Sequence, residues 1–162
     1  MLNLKSIATY LLISVGLLCA SAASIAHDGT APSADEQGTG CPKQLQLRST
    51  DQVLQAHLAA FRSANAALLA CDYAKNAVFM LAPGSVAHGP DQIQATFAGF
   101  FQGAGAINSV SVDSLTIDQG AALMIYQVES QHIVVAAGVD TFVVAHGRIV
   151  LHTVYLGGLS VR

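Results

Sequence analysis

Hydrophobic and polar positions divide the chain into a leader and one patterned body. Ile7 to Leu18 is a continuous apolar run behind Lys5, followed by small residues. That is the form of an export signal, and the run is too short to span a bilayer stably. Ser24-Ile25-Ala26 and Ala20-Ser21-Ala22 both place small residues where a signal peptidase reads. Cleavage after Ala26 is preferred, so residues 1–26 are expected to be removed and the product to be periplasmic or secreted. Leu18 stands where lipoprotein processing at Cys19 needs a small residue, which argues against a lipid anchor. From His27 to Gly40 no apolar period is present, and a flexible lead-in is expected over residues 27–48.

The body, residues 49–162, opens with helical periods. Ser49-Thr50-Asp51 offers N-cap groups, and Val53, Leu54, His57, Leu58 and Phe61 recur on one side of a helix ending near Ser63. Asn65 can start a second short helix carrying Leu68, Leu69 and Tyr73. Ala77 to Leu81 is a short apolar strand, Pro83-Gly84 a turn, and Ser85 to His88 its antiparallel return. Gly89-Pro90 opens a third helix with Ile93, Phe97, Phe100 and Phe101 in a stripe, closed by Gly103 and Gly105. From Ile107 the period is two. Val110 and Val112 alternate in one phase and Leu115 and Ile117 in the other, which predicts a bulge near Asp113-Ser114. Turns at Asp118-Gln119-Gly120, Ser130-Gln131 and His146-Gly147 separate strands Ala121–Glu129, His132–Val144 and Arg148–Leu156. Three helices, an inserted hairpin and a long meander bury a common core if the sheet curves around the first helix. The expected fold is an α+β cone with a curved antiparallel sheet.

Composition sharpens this. With 52% apolar and 10% charged residues in 162, the chain suits a single greasy domain. A net charge of -3 gives no electrostatic basis for nucleic acid or an anionic membrane as partner. Without the leader, Cys41 and Cys71 are the remaining thiols; in an oxidising compartment they form one disulfide or stay free. Six histidines include no pair at helical i, i+4 or finger spacing, so no metal site is expected.

The last hairpin decides where polar groups meet. A two-residue turn needs φ above zero at both His146 and Gly147, whereas a three-residue loop from Ala145 asks it of Gly147 alone and is preferred. Val144 then opposes Arg148 and Asp140 opposes His152, on a face shared with Phe142, Val150 and Val154. The two-residue turn instead sets Asp140 against Thr153 and turns His152 away. Ile149, Leu151, Thr153 and Tyr155 would form the outer face, apolar enough to carry a second copy.

The element order, with the strings Tyr73-Ala-Lys-Asn-Ala-Val-Phe, Gly89-Pro-Asp-Gln-Ile and Val139-Asp-Thr-Phe-Val-Val-Ala-His-Gly-Arg-Ile-Val, resembles the nuclear transport factor 2-like superfamily over about Asp51 to Gly157. That superfamily includes ketosteroid isomerases and SnoaL-like polyketide cyclases, as well as plain binding modules. Set beside the isomerases, the proton-shuttling aspartate falls on Leu81, the oxyanion-binding tyrosine on His57 and the protonated aspartic acid on Asp140. The Asp-Arg-Asp set of the limonene-epoxide hydrolase branch has no counterpart here.

Three functions follow as expectations. The first is a binding domain for a small apolar or aromatic carbonyl compound, with His57, Asp140, His152 and Tyr73 as polar contacts and Leu81, Phe97, Phe142 and Val154 as walls. The second is a cofactor-free isomerase, cyclase or dehydratase with Asp140 and His152 as acid and base and His57 as oxyanion donor. The third is a homodimeric interaction domain, which the resemblance also implies. Against all three stands a bland account, in which Asp140, His152 and His57 are satisfied polar groups of the core.

Overall fold

The computed structural model describes residues 40–162; the expected signal segment and most of the lead-in lie outside them. Order begins earlier than the lead-in boundary at residue 48. A 3-10 turn at Leu45–Leu47 buries Leu45, and Cys41 is bonded to Cys71 across a sequence separation of 30. The two thiols therefore form the bridge, with Cα atoms 5.5 Å apart.

Helix α1, Thr50–Arg62, starts at a reciprocal cap in which Gln52 N donates to Ser49 Oγ and Ser49 N to Gln52 Oε1. It buries Val53, Leu54, His57 and Ala60. Helix α2, Ala66–Cys71, is capped by the Asn65 side chain. It stops before Tyr73, which is the first residue of a strand rather than part of the helix, and Leu68 is exposed. Ile149 N donates to Asp72 O and draws the chain into the sheet at that point. Strands β1, Tyr73–Leu81, and β2, Ser85–His88, make the inserted hairpin. Helix α3, Gly89–Ala104, buries Ile93, Phe97, Phe101 and Ala104 and ends at Gly105, whose φ of 71° suits glycine.

Strands β3, Ile107–Asp118, β4, Ala121–Ser130, β5, Ile133–Ala145, and β6, Arg148–Gly157, form the meander, and a short β7, Ser160–Val161, pairs with the start of β5. The expected bulge of β3 lies between Val112 and Ser114; beyond it Leu115 opposes Met124 and Ile117 opposes Ala122, so both stay on the inner face with Val110 and Val112 but are exposed on this edge strand. Strand order is β2-β1-β6-β5-β4-β3. The sheet is mixed rather than wholly antiparallel, because β6 returns beside β1 in parallel. Helix α1 packs on β3 and β5, and α3 on β1 and β2, so the helices fill the concave side of an open, curved sheet. No helix among the described residues is long and apolar enough to cross a membrane.

The β5–β6 turn differs from expectation. It is the two-residue form, with φ of 49° at His146 and 67° at Gly147, and Ala145 pairs with Arg148. Gly147 is forced: a Cβ there would collide with Leu45 O. Such a turn alone would carry His152 to the outside, but Ile149 pairs with Val144 and Leu151 with Val143, leaving Val150 as an extra residue. This bulge shifts the ladder by one position and restores the inward phase of His152. His152 pairs with Phe142 and Asp140 with Val154, so Asp140 and His152 are diagonal neighbours rather than opposed. Ile149 is buried instead of outward, and Val150 is the half-exposed residue.

Candidate functional site

The concave face of β1, β4, β5 and β6 gathers a chain of four polar side chains. His152 Nε2 lies 3.0 Å from Asp140 Oδ2, and His152 Nδ1 lies 2.6 Å from Tyr73 Oη. Tyr126 Oη donates to Asp140 Oδ1 at 3.0 Å. All four residues are buried. Burial, with the Asp140 charge nearby, pushes both phenols well above the ordinary tyrosine range, so Tyr73 and Tyr126 stay protonated and donate. Tyr73 then donates a hydrogen bond to His152 Nδ1, His152 carries its proton on Nε2 and donates to Asp140, and the carboxylate receives two hydrogen bonds. Phe142 stacks on the His152 ring at a centroid distance of 4.1 Å and holds its plane.

The local sequence explains each placement. Strict alternation along β4 sends Tyr126 inward beside Met124 and Val128. Its ring covers Gly138, the residue opposite, where a Cβ would collide with the ring carbons. Tyr126 is the member of the chain that sequence reasoning missed. Its signals were an inward phenol needing a partner and a glycine inside a strand.

A second polar cluster lies behind His57. Asp72 Oδ1 accepts from Arg48 Nη1 at 2.7 Å, and Arg48 Nη2 donates to Gly147 O at 3.0 Å. Asp72 Oδ2 lies 3.8 Å from His57 Nδ1, too far for a hydrogen bond, and both atoms lack a partner. Burial, then the His152 ring, lowers the His57 pKa well below its ordinary value, so His57 is neutral. Burial raises that of Asp72, while Arg48 and Arg148 oppose the rise.

Of these groups, His57, Asp140 and His152 border a small cavity of about 50 Å³ inside the cone. Its floor is His57, Phe79, Phe97, Asp140 and His152, all buried. Its rim is Phe61, Leu81, Thr96, Phe100 and Leu156, all part-exposed. The cavity is smaller than the ~300–1,000 Å³ usual for ligand pockets, so a guest has few heavy atoms or displaces the rim. Of the expected site residues, Asp140, His152, His57, Leu81, Phe97 and Val154 line it, whereas Tyr73 and Phe142 stand behind His152 and shape it indirectly. A larger hollow of about 390 Å³ lies outside the sheet near Met80, Val86, Thr153 and Tyr155. It has no carboxylate or imidazole, unlike the smaller cavity.

No arginine lines the inner cavity, and among the described residues no three His, Cys, Asp or Glu side chains are grouped to hold a metal ion.

Comparison with known proteins agrees with this architecture. The profile of the SnoaL-like domain family matches residues 54–152. No curated protein matches the sequence significantly. Among solved structures, an NTF-2 like protein of unknown function from Burkholderia xenovorans superposes with a TM-score of 0.58 at 17% identity, over 67% of this chain and 82% of the other. An LEH-like epoxide hydrolase from M. tuberculosis gives 0.54 at 20% identity over 70% of this chain and 84% of the other. The epoxide hydrolase/cyclase-like enzyme SalBIII, with a role in pyran ring formation in salinomycin, gives 0.60 at 12% identity over 70% and 95%. At these identities the likeness is one of fold. The matched profile covers most of the chain and coincides with the helices and strands that build the cavity: the chain belongs to the SnoaL-like domain family.

Proposed function

We propose that this domain binds a small apolar or aromatic molecule, of the carbonyl type or its enol, in the inner cavity with its polar end against His57 and Asp140. The observation that carries the proposal is the convergence of two imidazoles and a hydrogen-bonded carboxylate on a largely apolar cavity. Buried polar groups are costly unless satisfied, and a guest would occupy the one side of these groups that the protein leaves open. The test is binding of small aromatic compounds to the wild type and to a Leu81→Trp variant that fills the cavity from its rim. Saturable binding that disappears in Leu81→Trp is expected; binding that survives the filling overturns the proposal.

A second role, as a cofactor-free isomerase, cyclase or dehydratase, is favoured by Asp140. Two donors fix its carboxylate against the cavity, where it could take a proton that Leu81 cannot. Loss of turnover with binding retained in Asp140→Asn is the outcome that role requires.

The domain is also proposed to work outside the cytoplasm, as a homodimer joined through the outer face of the sheet. Support for export comes from the apolar run Ile7–Leu18 and from the Cys41–Cys71 bridge, which persists in oxidising compartments. Support for the dimer comes from Leu123, Ile125 and Tyr155, which are exposed on that face.

A further inference from the structure

His57 Nδ1 and Asp72 Oδ2 are buried, partnerless and turned toward each other across 3.8 Å. A proton on Nδ1 would point at a carboxylate oxygen and ease the burial of both atoms, whereas a lone pair there would be repelled by it. Asp72 has little freedom to turn away. Its other oxygen accepts from Arg48, its carbonyl accepts from Ile149 N, and the preceding residue is held by the Cys41–Cys71 bridge. His57 is equally confined, edge-on to Tyr73, Phe97, Phe142 and His152 with ring centroids between 5.4 and 6.0 Å away.

We infer that Asp72 is a positioning residue that fixes His57 as the Nδ1–H tautomer, so that a guest in the cavity meets the unprotonated Nε2. This rests on the cavity being the binding site proposed above, and it assigns the chemistry of the guest's polar end. Nε2 lies across the ring from the sealed Nδ1 and is the nitrogen left for the cavity. With the Asp140 carboxylate it makes two acceptors. The nearby donors are already engaged: Tyr73 on His152, Tyr126 on Asp140 and the Thr96 hydroxyl on Gln92 O. Of the guests proposed above, the cavity therefore suits the enol, or another molecule that turns a hydroxyl, an N–H or an acidic C–H toward His57, and not a carbonyl compound that turns its bare oxygen there. His57 is an acceptor, the reverse of the oxyanion-donor role that the ketosteroid isomerase resemblance implies. Burial of His57, which keeps the ring neutral and one nitrogen unprotonated, is consistent with this role.

The test is 15N NMR of the histidine-labelled, disulfide-bonded protein at neutral pH, with His57 assigned through His57→Gln, followed by titration with phenol and with fluorobenzene. These two molecules are close in shape and differ in having a donor. A protonated Nδ1 and an unprotonated Nε2 are expected, with phenol bound about tenfold more tightly, the ratio one net hydrogen bond supplies. Asp72→Asn can keep its oxygen on Arg48 and turn its amide N–H toward His57. It should move the proton to Nε2 and remove the advantage of phenol while fluorobenzene still binds. An unprotonated Nδ1 in the wild type overturns the inference without any variant, and so does an Asp72→Asn protein whose His57 spectrum is unchanged. Equal affinity for the two molecules overturns the donor-ended guest. If neither binds but the tautomer is as stated, the cavity-binding proposal fails and the role of Asp72 stands.

Discussion

At the scale of single residues, the interior of the cone is ordered by which atom holds which proton. His57 is one group through which pH acts on the fold. Its folded pKa lies below the ordinary value of 6.5, so the fold favours the neutral ring. The stability this contributes is fully present above pH 6.5 and is lost as pH falls below it, because the unfolded chain then binds the proton more readily. Asp72 acts in the opposite sense, since its raised pKa favours folding below its ordinary value of 3.8. Urea midpoints should therefore drop between pH 7 and pH 5, and His57→Phe should flatten that slope; an equal slope in the variant would assign the loss to another group. Tyr126→Phe removes one of two donors to Asp140 and should cost about 1–3 kcal/mol in urea unfolding, with the fold kept. Strand and helix periods were enough to mark Asp140, His152 and His57 as inward candidates, although the turn chosen to bring Asp140 opposite His152 is not the one the protein uses. They could not supply Asp72 and Arg48, whose pairing spans 24 residues through the end of α2, nor Tyr126, whose partner sits on the neighbouring strand.

Among the elements, two joints carry most of the specification. The Cys41–Cys71 bridge closes a loop across a sequence separation of 30 and ties the Leu45 turn to the end of α2. Replacing both cysteines by serine should lower stability by about 3–4 kcal/mol on the loop-entropy estimate, read as a shift in the urea midpoint against the oxidised wild type. The second joint is the contact of β4 with β5, where Tyr126 lies on Gly138. Gly138→Ala should push the ring away and cost about 1–3 kcal/mol, with near-ultraviolet circular dichroism reporting the displaced tyrosine. Helix caps, the Asp113 bulge and the order of the meander were all visible in residue types at fixed spacing. The β5–β6 register was not. His146 accepts a left-handed backbone that its side chain disfavours, and the extra residue Val150 then returns the strand to the phase that the three-residue loop would have given. The inward phase of Asp140 and His152, though not their direct opposition, thus matches the expectation through a turn that the protein does not use, since two register changes of one residue cancel in side-chain phase.

Over the whole molecule, the curved sheet closes on α1 and α3 from one side and leaves Leu123, Ile125 and Tyr155 exposed on the other. That the fold is an α+β cone was apparent from three helical periods followed by a long meander. The parallel pairing of β1 with β6 was hidden, because no local pattern states which strand a returning strand will join. Tyr155, Leu123 and Ile125 on the outer face should support a homodimer, and Tyr155→Glu should convert it to monomers in light scattering with the circular dichroism of the fold unchanged. A wild type that is monomeric at micromolar concentration would remove the dimer. The central claim concerns the inner cavity, and native mass spectrometry of the protein recovered from an oxidising compartment tests it most directly. One small molecule per chain, absent from Leu81→Trp prepared in the same way, is the predicted result. A wild type that carries no guest and takes up none of the small aromatics offered to it, or a guest that Leu81→Trp retains, would contradict it.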